Sequence, residues 1–150
     1  MASTLTSLNI HFVFSTKNRE KIITEQVRSR LHQYMGGIAR KNSMVAHEIG
    51  GTKDHIHLLI SIPASISPAK AMQLIKGGSS KWMSDEFPEI GRFAWQQGYA
   101  AFSVSPSMMN KTLNYIRSQE EHHRKMTFSE EYLSFLKKSG IAYDERYVME

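Results

Sequence analysis

The order in which two kinds of hydrophobic period follow one another constrains the fold of this chain more than any other feature. Apolar residues at every second position predict strands, and apolar residues three and four apart predict helices. Phe12 and Phe14 show the first pattern, whereas Val27 and Leu31 show the second. The predicted segments, in chain order, are a strand at 8–14, a helix at 25–41, strands at 44–49 and 55–62, a helix that opens at Pro68, a strand at 95–104, and helices at 108–124 and 128–138.

The sequence strand, helix, strand, strand, helix, strand is the split βαβ pattern. We therefore predict an α+β, ferredoxin-like βαββαβ fold with one antiparallel sheet, followed by C-terminal helices. Gly50 and Gly51 suit the loop of the central hairpin. Gly77 and Gly78 fall inside the second helix and predict either a close approach of another element or a break. The length suits one domain over residues 1–150.

Composition narrows the chemistry that this domain can perform. The 150 residues contain no cysteine, which excludes a disulfide scaffold, a thiolate metal site and a cysteine nucleophile. Lys and Arg outnumber Asp and Glu by 19 to 14, and the net charge of +5 favours a polyanionic partner without identifying one. Because we find no apolar run of membrane-spanning length and no basic leader, we expect a cytoplasmic protein with no membrane partner.

Two histidines of the third predicted strand are candidate metal ligands. Side chains alternate along a strand, so His55 and His57 share one face while Ile56 and Leu58 share the other. At a rise of ~3.3 Å per residue the two histidine Cα atoms are about 6.6 Å apart, which lets both rings converge on one ion. The same pattern is also typical of two unrelated polar residues on a solvated face of a sheet.

The helix predicted over 108–124 carries the second set of candidate groups. Tyr115 and Gln119 lie one turn apart along the edge of its apolar stripe, where a side chain meets a cleft. An ion bound by Gln119 would have the phenol of Tyr115 within reach. The alternative is a boundary tyrosine and a surface glutamine of an ordinary amphipathic helix. His122 and His123 also compete as ligands, but their charged neighbours favour a solvated helix end, so we prefer Gln119.

Taken together, these segments resemble a known family. His55-Ile56-His57 on a strand and Tyr115-Ile116-Arg117-Ser118-Gln119 on a helix resemble the HUH motif and the tyrosine helix of single-tyrosine transposases of the insertion sequence 200/605 type. The likeness extends over nearly the whole chain through three more segments, His11-Phe12-Val13-Phe14-Ser15-Thr16-Lys17, Gly77-Gly78-Ser79-Ser80-Lys81-Trp82 and Trp95-Gln96-Gln97-Gly98-Tyr99. The single tyrosine on the expected helix separates the chain from two-tyrosine replication initiators and relaxases.

The resemblance implies a DNA transposase that cleaves and rejoins single-stranded DNA at hairpin-bearing transposon ends. Tyr115 would attack a phosphodiester, form a 5′-phosphotyrosine link and release a 3′-hydroxyl. His55, His57 and Gln119 would hold one divalent metal ion, Mg²⁺ or Mn²⁺, whose full double charge they would leave unreduced because all three are neutral. The family also implies a homodimer in which the tyrosine helix of one subunit can complete the metal site of the other.

Two further groups of residues are predicted around this site. Glu48 or His47, depending on the register of the hairpin, is predicted to face His57 and orient its ring. Basic residues near the motifs are candidates for contacts with DNA phosphates: Lys17, Arg19, Lys76, Lys81, Arg92 and Lys111. No residue identifies itself as the base that accepts the tyrosine proton.

Three other functions fit parts of the sequence. A domesticated hairpin-processing relative, a repeat-associated tyrosine transposase, would carry the same motifs and differ in the DNA around its gene. A non-catalytic ferredoxin-like module that binds RNA or single-stranded DNA would use exposed aromatics, whereas Phe12 and Phe14 fall on the predicted core face. A metal-dependent phosphodiesterase that uses water instead of Tyr115 would release a free 5′-phosphate.

Overall fold

A computed structural model describes residues 3–150 of the chain. Its strands are β1 (Asn9–Ser15), β2 (Val45–Gly51), β3 (His55–Ser61) and β4 (Ala100–Ser103). They form one sheet in the order β2-β3-β1-β4, and every neighbouring pair is antiparallel. The helices are α1 (Glu25–Lys41), α2 (Pro68–Glu86), α3 (Met109–Arg117), α4 (Gln119–His122) and α5 (Phe128–Lys138). The predicted α+β, ferredoxin-like order with C-terminal helices is confirmed.

One face of the sheet packs against α1 and α2 and holds the larger apolar core. Phe12 and Phe14 of β1 and Leu58 of β3 are fully buried in this core. Leu31 of α1 and Ile75 of α2 close it from the helical side. The period of two in β1 and β3 therefore points the residues that the sequence assigns to the core toward the two long helices.

Helix α2 continues without a break through Gly77 and Gly78. A Cβ atom at Gly78 would lie 2.9 Å from Cδ1 of Ile38 on α1, whereas a Cβ at Gly77 would meet nothing within 4 Å. Of the two predicted alternatives, the structure shows the close approach. The helix begins at a cap in which the hydroxyl of Ser67 accepts a hydrogen bond from the backbone N–H of Lys70 at 3.0 Å.

The fourth strand is shorter than the predicted 95–104 segment and comprises only Ala100–Ser103. Trp95 forms an isolated bridge with Thr16, and its indole N–H donates to the hydroxyl of Ser79 at 3.0 Å. The intervening loop turns toward Lys76, whose ammonium group donates to three backbone carbonyls of residues 96–98 at 2.8–3.1 Å. Because these carbonyls bond to a lysine and not to a neighbouring strand, β4 begins only at Ala100.

The helix predicted over 108–124 is also divided. Ser118, with φ −100° and ψ 26°, ends α3 before α4 begins. Tyr115 and Gln119 consequently lie on two successive helices, although the Gln119 amide still reaches back to the carbonyl of Tyr115 at 3.4 Å.

The other face of the sheet is covered by the C-terminal helices. Phe128, Tyr132 and Leu136 of α5 pack on Val13 of β1 and on β4, while α3 packs against β2. A capping box at Thr127 fixes the first turn of α5. Within residues 3–150, none of the helices is both long enough and apolar enough to span a membrane.

Candidate metal centre and tyrosine site

His55 and His57 of β3 lie on the face of the sheet beneath the C-terminal helices. The side chains of both are completely buried, at 0% relative exposure. The alternative of two polar residues on a solvated face is therefore wrong. A buried imidazole needs hydrogen-bond or ligand partners, and those partners define the site.

A carboxylate and three imidazoles converge at one point of this face. Oε1 of Glu131, on α5, lies 2.9 Å from Nε2 of His57, 3.1 Å from Nε2 of His123 and 3.7 Å from Nε2 of His55. One ligand atom from each of these four residues falls within 4.8 Å of the others. Oε1 of Gln119 lies 2.9 Å from Nε2 of His55, so the predicted glutamine reaches the same cluster.

The ring nitrogen that faces away from the cluster, Nδ1, also has a hydrogen-bond partner in each of the two strand histidines. Nδ1 of His55 lies 2.7 Å from Oδ1 of Asp54 and 3.1 Å from the hydroxyl of Thr52. Nδ1 of His57 lies 2.7 Å from Nε2 of His11 on β1. Partners on Nδ1 fix the orientation of both rings and leave each Nε2 facing the cluster, which is how proteins orient imidazole ligands.

The prediction that Glu48 or His47 orients His57 is wrong. The register pairs Gly50 with His57 and Glu48 with Leu59, so neither Glu48 nor His47 lies opposite His57. The Glu48 carboxylate accepts a hydrogen bond from Nε of Arg117 at 2.7 Å, and the His47 ring lies 2.6 Å from the hydroxyl of Ser61. A bulge shifts every later residue of its strand by one position, and the sequence alone does not reveal it.

Tyr115 lies in the last turn of α3 and joins the cluster from the side. Its hydroxyl donates to Oε2 of Glu131, and its ring centroid lies 5.8 Å from that of His57. The helix is seated at Gly50, where a Cβ atom would lie only 2.5 Å from the carbonyl oxygen of Ile116. The absence of a side chain on β2 thus lets α3 bring the tyrosine over the histidine pair of the same chain.

The protonation states follow from this packing. Burial lowers the pKa of His57 to about 4, so its ring is neutral at neutral pH. Burial opposes ionisation of Glu131, but hydrogen bonds from His123 and His57 outweigh it and hold its pKa far below the usual range. Burial also disfavours a charge on His123, yet its bond to Glu131 raises its pKa. Burial and then the bond to Glu131 raise the pKa of Tyr115, which keeps the phenol protonated.

The donor set fits a divalent metal ion. Imidazole nitrogens together with one carboxylate and one amide oxygen are ligands of transition ions, and a buried carboxylate supplies the charge that draws a cation into a dry site. The predicted set of His55, His57 and Gln119 is neutral, whereas the observed cluster adds the carboxylate of Glu131 and the ring of His123. The net charge of a bound divalent ion together with Glu131 would therefore be +1.

The candidate phosphate contacts are dispersed. Lys111 alone among them lines the same cleft as Tyr115. Lys17 and Arg19 line a groove beside Trp95, and Lys81 pairs with Asp85 at 3.2 Å. The remaining two differ in exposure. Arg92 is exposed, whereas Lys76 is committed to backbone carbonyls and burial lowers its pKa to about 8.

Sequence reasoning missed Glu131, Asp54 and His11. Glu131 lies three positions after Phe128 and one before Tyr132, on the buried stripe of α5, and a carboxylate within an apolar stripe is a signal that could have found it. Asp54 precedes His55 directly. His11 has the parity of Val13, which the register pairs with His57.

Fold and site together define an α+β protein in which a histidine pair on a central strand and a tyrosine from a packed helix meet at one buried carboxylate. A family model described as "Transposase IS200 like" matches residues 4–119. The chain therefore belongs to the IS200-like transposases, a family of DNA-cleaving enzymes.

Individual relatives agree with this assignment. The ISDra2 transposase TnpA of Deinococcus radiodurans is 24% identical over 119 residues, which are 76% of this chain and 85% of that protein. The transposase for insertion sequence element IS200 of Salmonella typhimurium is 26% identical over 129 residues, 83% of this chain and 84% of that protein.

Two solved structures share the fold. The crystal structure of a protein described as a transposase, from Deinococcus radiodurans, superposes with a TM-score of 0.66 at 22% identity. The match covers 79% of this chain and 95% of that one. A REP-associated tyrosine transposase bound to a REP hairpin superposes with a TM-score of 0.62 at 12% identity and covers 82% of this chain and 72% of that one.

Proposed function

We propose that this chain, as one domain over residues 1–150, cleaves and rejoins single-stranded DNA at hairpin-bearing transposon ends through a 5′-phosphotyrosine at Tyr115. One observation carries the proposal: the Tyr115 hydroxyl donates to Oε2 of Glu131, whose Oε1 lies 2.9 Å from Nε2 of His57. The nucleophile therefore adjoins the ligand atoms. The hairpin is proposed by analogy with the REP-associated transposase, whose structure holds one.

We propose that one divalent ion is held by His55, His57 and Gln119, joined by Glu131 and His123. Mn²⁺ suits the imidazoles, while Mg²⁺ would rely on the oxygens of Gln119 and Glu131. When bound, the ion supplies charge that polarises the scissile phosphate. Asp54 and His11 keep the two strand rings oriented toward it.

The chain orients the nucleophile, and solvent exchanges the protons. As the phenolic oxygen of Tyr115, oriented by its hydrogen bond to Oε2 of Glu131, bonds to phosphorus, its proton passes to solvent and the bond from phosphorus to the 3′-oxygen breaks. The departing 3′-oxygen takes a proton from solvent and leaves as a hydroxyl. Rejoining reverses these steps: a 3′-hydroxyl loses its proton to solvent as it attacks phosphorus, the bond from phosphorus to the tyrosine oxygen breaks, and that oxygen takes a proton from solvent.

We retain the homodimer as a proposal, with a change in how its active sites are assembled. Tyr115, His57 and Glu131 of one chain already meet, which supports assembly of each site within one subunit and not between two. A mixture of Tyr115→Phe and His57→Gln proteins should then form no adduct, whereas shared sites would restore one complete centre per dimer.

The test of the function is covalent capture of DNA. Labelled single-stranded DNA from the region beside the gene is incubated with Mn²⁺ and separated on a denaturing gel. The native protein should form an adduct, Tyr115→Phe should form none, and Tyr34→Phe, a control at an exposed tyrosine of α1, should match the native protein. An adduct on Tyr115→Phe would refute the proposal. A free 5′-phosphate without adduct would indicate the phosphodiesterase that uses water.

A second candidate, the domesticated repeat-associated relative, is favoured by the fold shared with the REP-associated transposase. The two functions use the same chemistry and differ in substrate. Paired imperfect hairpins immediately beside the gene would support a mobile element, and solitary hairpins scattered through the genome would support domestication.

A further inference from the structure

A cleft of about 450 Å³ opens between α3 and α5, directly beside the nucleophile. Tyr115 and Glu131 belong to its wall, so the cleft is continuous with the proposed catalytic centre. Its volume falls within the roughly 300–1,000 Å³ of sites that hold small organic groups. The proposed cleavage and rejoining steps assign no part of the DNA to this cleft.

The lining of the cleft is mainly apolar and suits a flat aromatic ring. Met108 and Met126 supply thioether surface, and Phe135 supplies an aromatic ring that meets the ring of Tyr115 edge to face at 5.6 Å between centroids. Every nucleobase has a π-face, and bases of single strands bind by stacking on aromatic side chains. Polarizable sulfur complements such rings.

The cleft also carries two lysines on its solvent side. Lys111 lies four residues before Tyr115, hence one turn away on the same side of α3. Lys138 lies seven residues after Glu131, two turns along the same side of α5. Both are exposed, and together they place a positive charge on each helix that borders the opening.

We propose that this cleft binds the nucleobase adjacent to the scissile phosphate, with Lys111 and Lys138 neutralising phosphates on either side. The inference rests on the proposed attack by Tyr115, because a phosphodiester placed against its hydroxyl brings the neighbouring nucleotide to the cleft. The partner is a single strand, since a base paired in a duplex has its faces covered by stacking.

The first test compares two fluorescein-labelled chains in EDTA, a 12-residue thymidine oligonucleotide and an abasic deoxyribose phosphate of equal length. The native protein should bind the thymidine chain about tenfold more tightly, as expected when a base stacks on aromatic side chains. Thr112→Leu combined with Ser134→Leu fills the cleft from both helices and should abolish this preference without weakening the binding of the abasic chain. Asn110→Leu with Ser139→Leu, at exposed positions outside the lining, should retain it.

The second test removes charge and needs no change in the cleft volume. Lys111→Ala with Lys138→Ala should lower the salt dependence of binding for both oligomers, by about 0.7 in the logarithmic slope for each phosphate that the protein no longer neutralises. Lys137→Ala, an exposed neighbour outside the cleft, should leave the slope unchanged.

Equal affinity of the native protein for the two oligomers overturns the proposal, as does a filled cleft with the native preference. If the filled variant does not fold, an unchanged salt slope in the lysine pair overturns it instead. A base preference in a protein that forms no Tyr115 adduct would refute the catalytic proposal and leave the base site standing. Adduct formation without any base preference would do the reverse.

Discussion

The two faces of the sheet are built from the same strands but bury different chemistry. On the face toward α1 and α2, Phe14, Ile56 and Leu58 belong to the apolar core. On the face toward α5, one residue away along the same strands, His55 and His57 are equally buried. The alternation of a strand thus separates by one position a surface held by hydrophobic burial from a surface held by hydrogen bonds.

The two faces of the sheet also differ in how precisely their contacts fix the positions of the side chains. Apolar contacts have no preferred direction, whereas each polar group of the histidine face forms a hydrogen bond with a defined partner. Within the described residues 3–150, one buried side-chain polar atom lacks a hydrogen bond, Nε2 of His32, and it lies on α1, outside the cluster. The cluster is a complete network, in which Asp54, His11 and Glu131 each saturate one histidine nitrogen.

The largest effect should come from the histidine face. His57→Gln removes a ring nitrogen from the cluster but keeps an amide that can donate to Glu131, so the protein should fold. Calorimetric titration with Mn²⁺ should show binding weakened by about tenfold or more, and adduct formation on the denaturing gel should disappear. If His57→Gln bound Mn²⁺ with native affinity, the histidine cluster would not be the metal site, and the two faces of the sheet would not differ in this way.

A change of the opposite character should come from the adjacent residue. Leu58→Ala leaves a cavity in the core and should lower the free energy of unfolding by about 2–5 kcal/mol, measured by urea denaturation. Because Leu58 points away from the cluster, Mn²⁺ affinity should stay native under conditions where the variant is folded. Loss of metal affinity in step with stability would show that the two faces are not independent.

Helices and strands whose apolar residues recur at a regular spacing can be predicted from the sequence. The bounds predicted for α1 and α5 match those observed, and the predicted core face of β1 is the one that packs on the long helices. Each of these depends on apolar spacing within one segment, which the sequence states directly. The sequence also singles out Tyr115 and the pair of His55 and His57, and the structure brings them together.

What cannot be predicted depends on contacts between segments. The register of the β2–β3 hairpin, which places Gly50 and not Glu48 opposite His57, is a property of strand pairing and not of either strand alone. The late start of β4 follows from the contacts of Lys76, distant in the chain, and the break at Ser118 precedes a helix of only four residues, Gln119–His122. Local period describes none of these, because tertiary contacts decide them.

The smallest expected effect on stability, and the most specific test of the histidine face, comes from Gly50, which has no side chain to take part in the reaction. In Gly50→Ala the new Cβ would meet the carbonyl oxygen of Ile116 at 2.5 Å and its Cγ2 at 2.7 Å. Backbone cannot yield as a side chain can, so α3 should shift, at a cost of about 1–3 kcal/mol in unfolding free energy.

A shift of α3 should carry Tyr115 away from the cluster but leave β3 in place. Adduct formation should fall while Mn²⁺ affinity, read by calorimetry, changes little. Gly77→Ala is the matched control, since a Cβ there meets nothing within 4 Å and alanine should stabilise α2 by about 0.5–1 kcal/mol. If Gly50→Ala instead lost metal binding and tyrosine reactivity together, β2 would support the histidines themselves and not only the helix that brings the nucleophile to them.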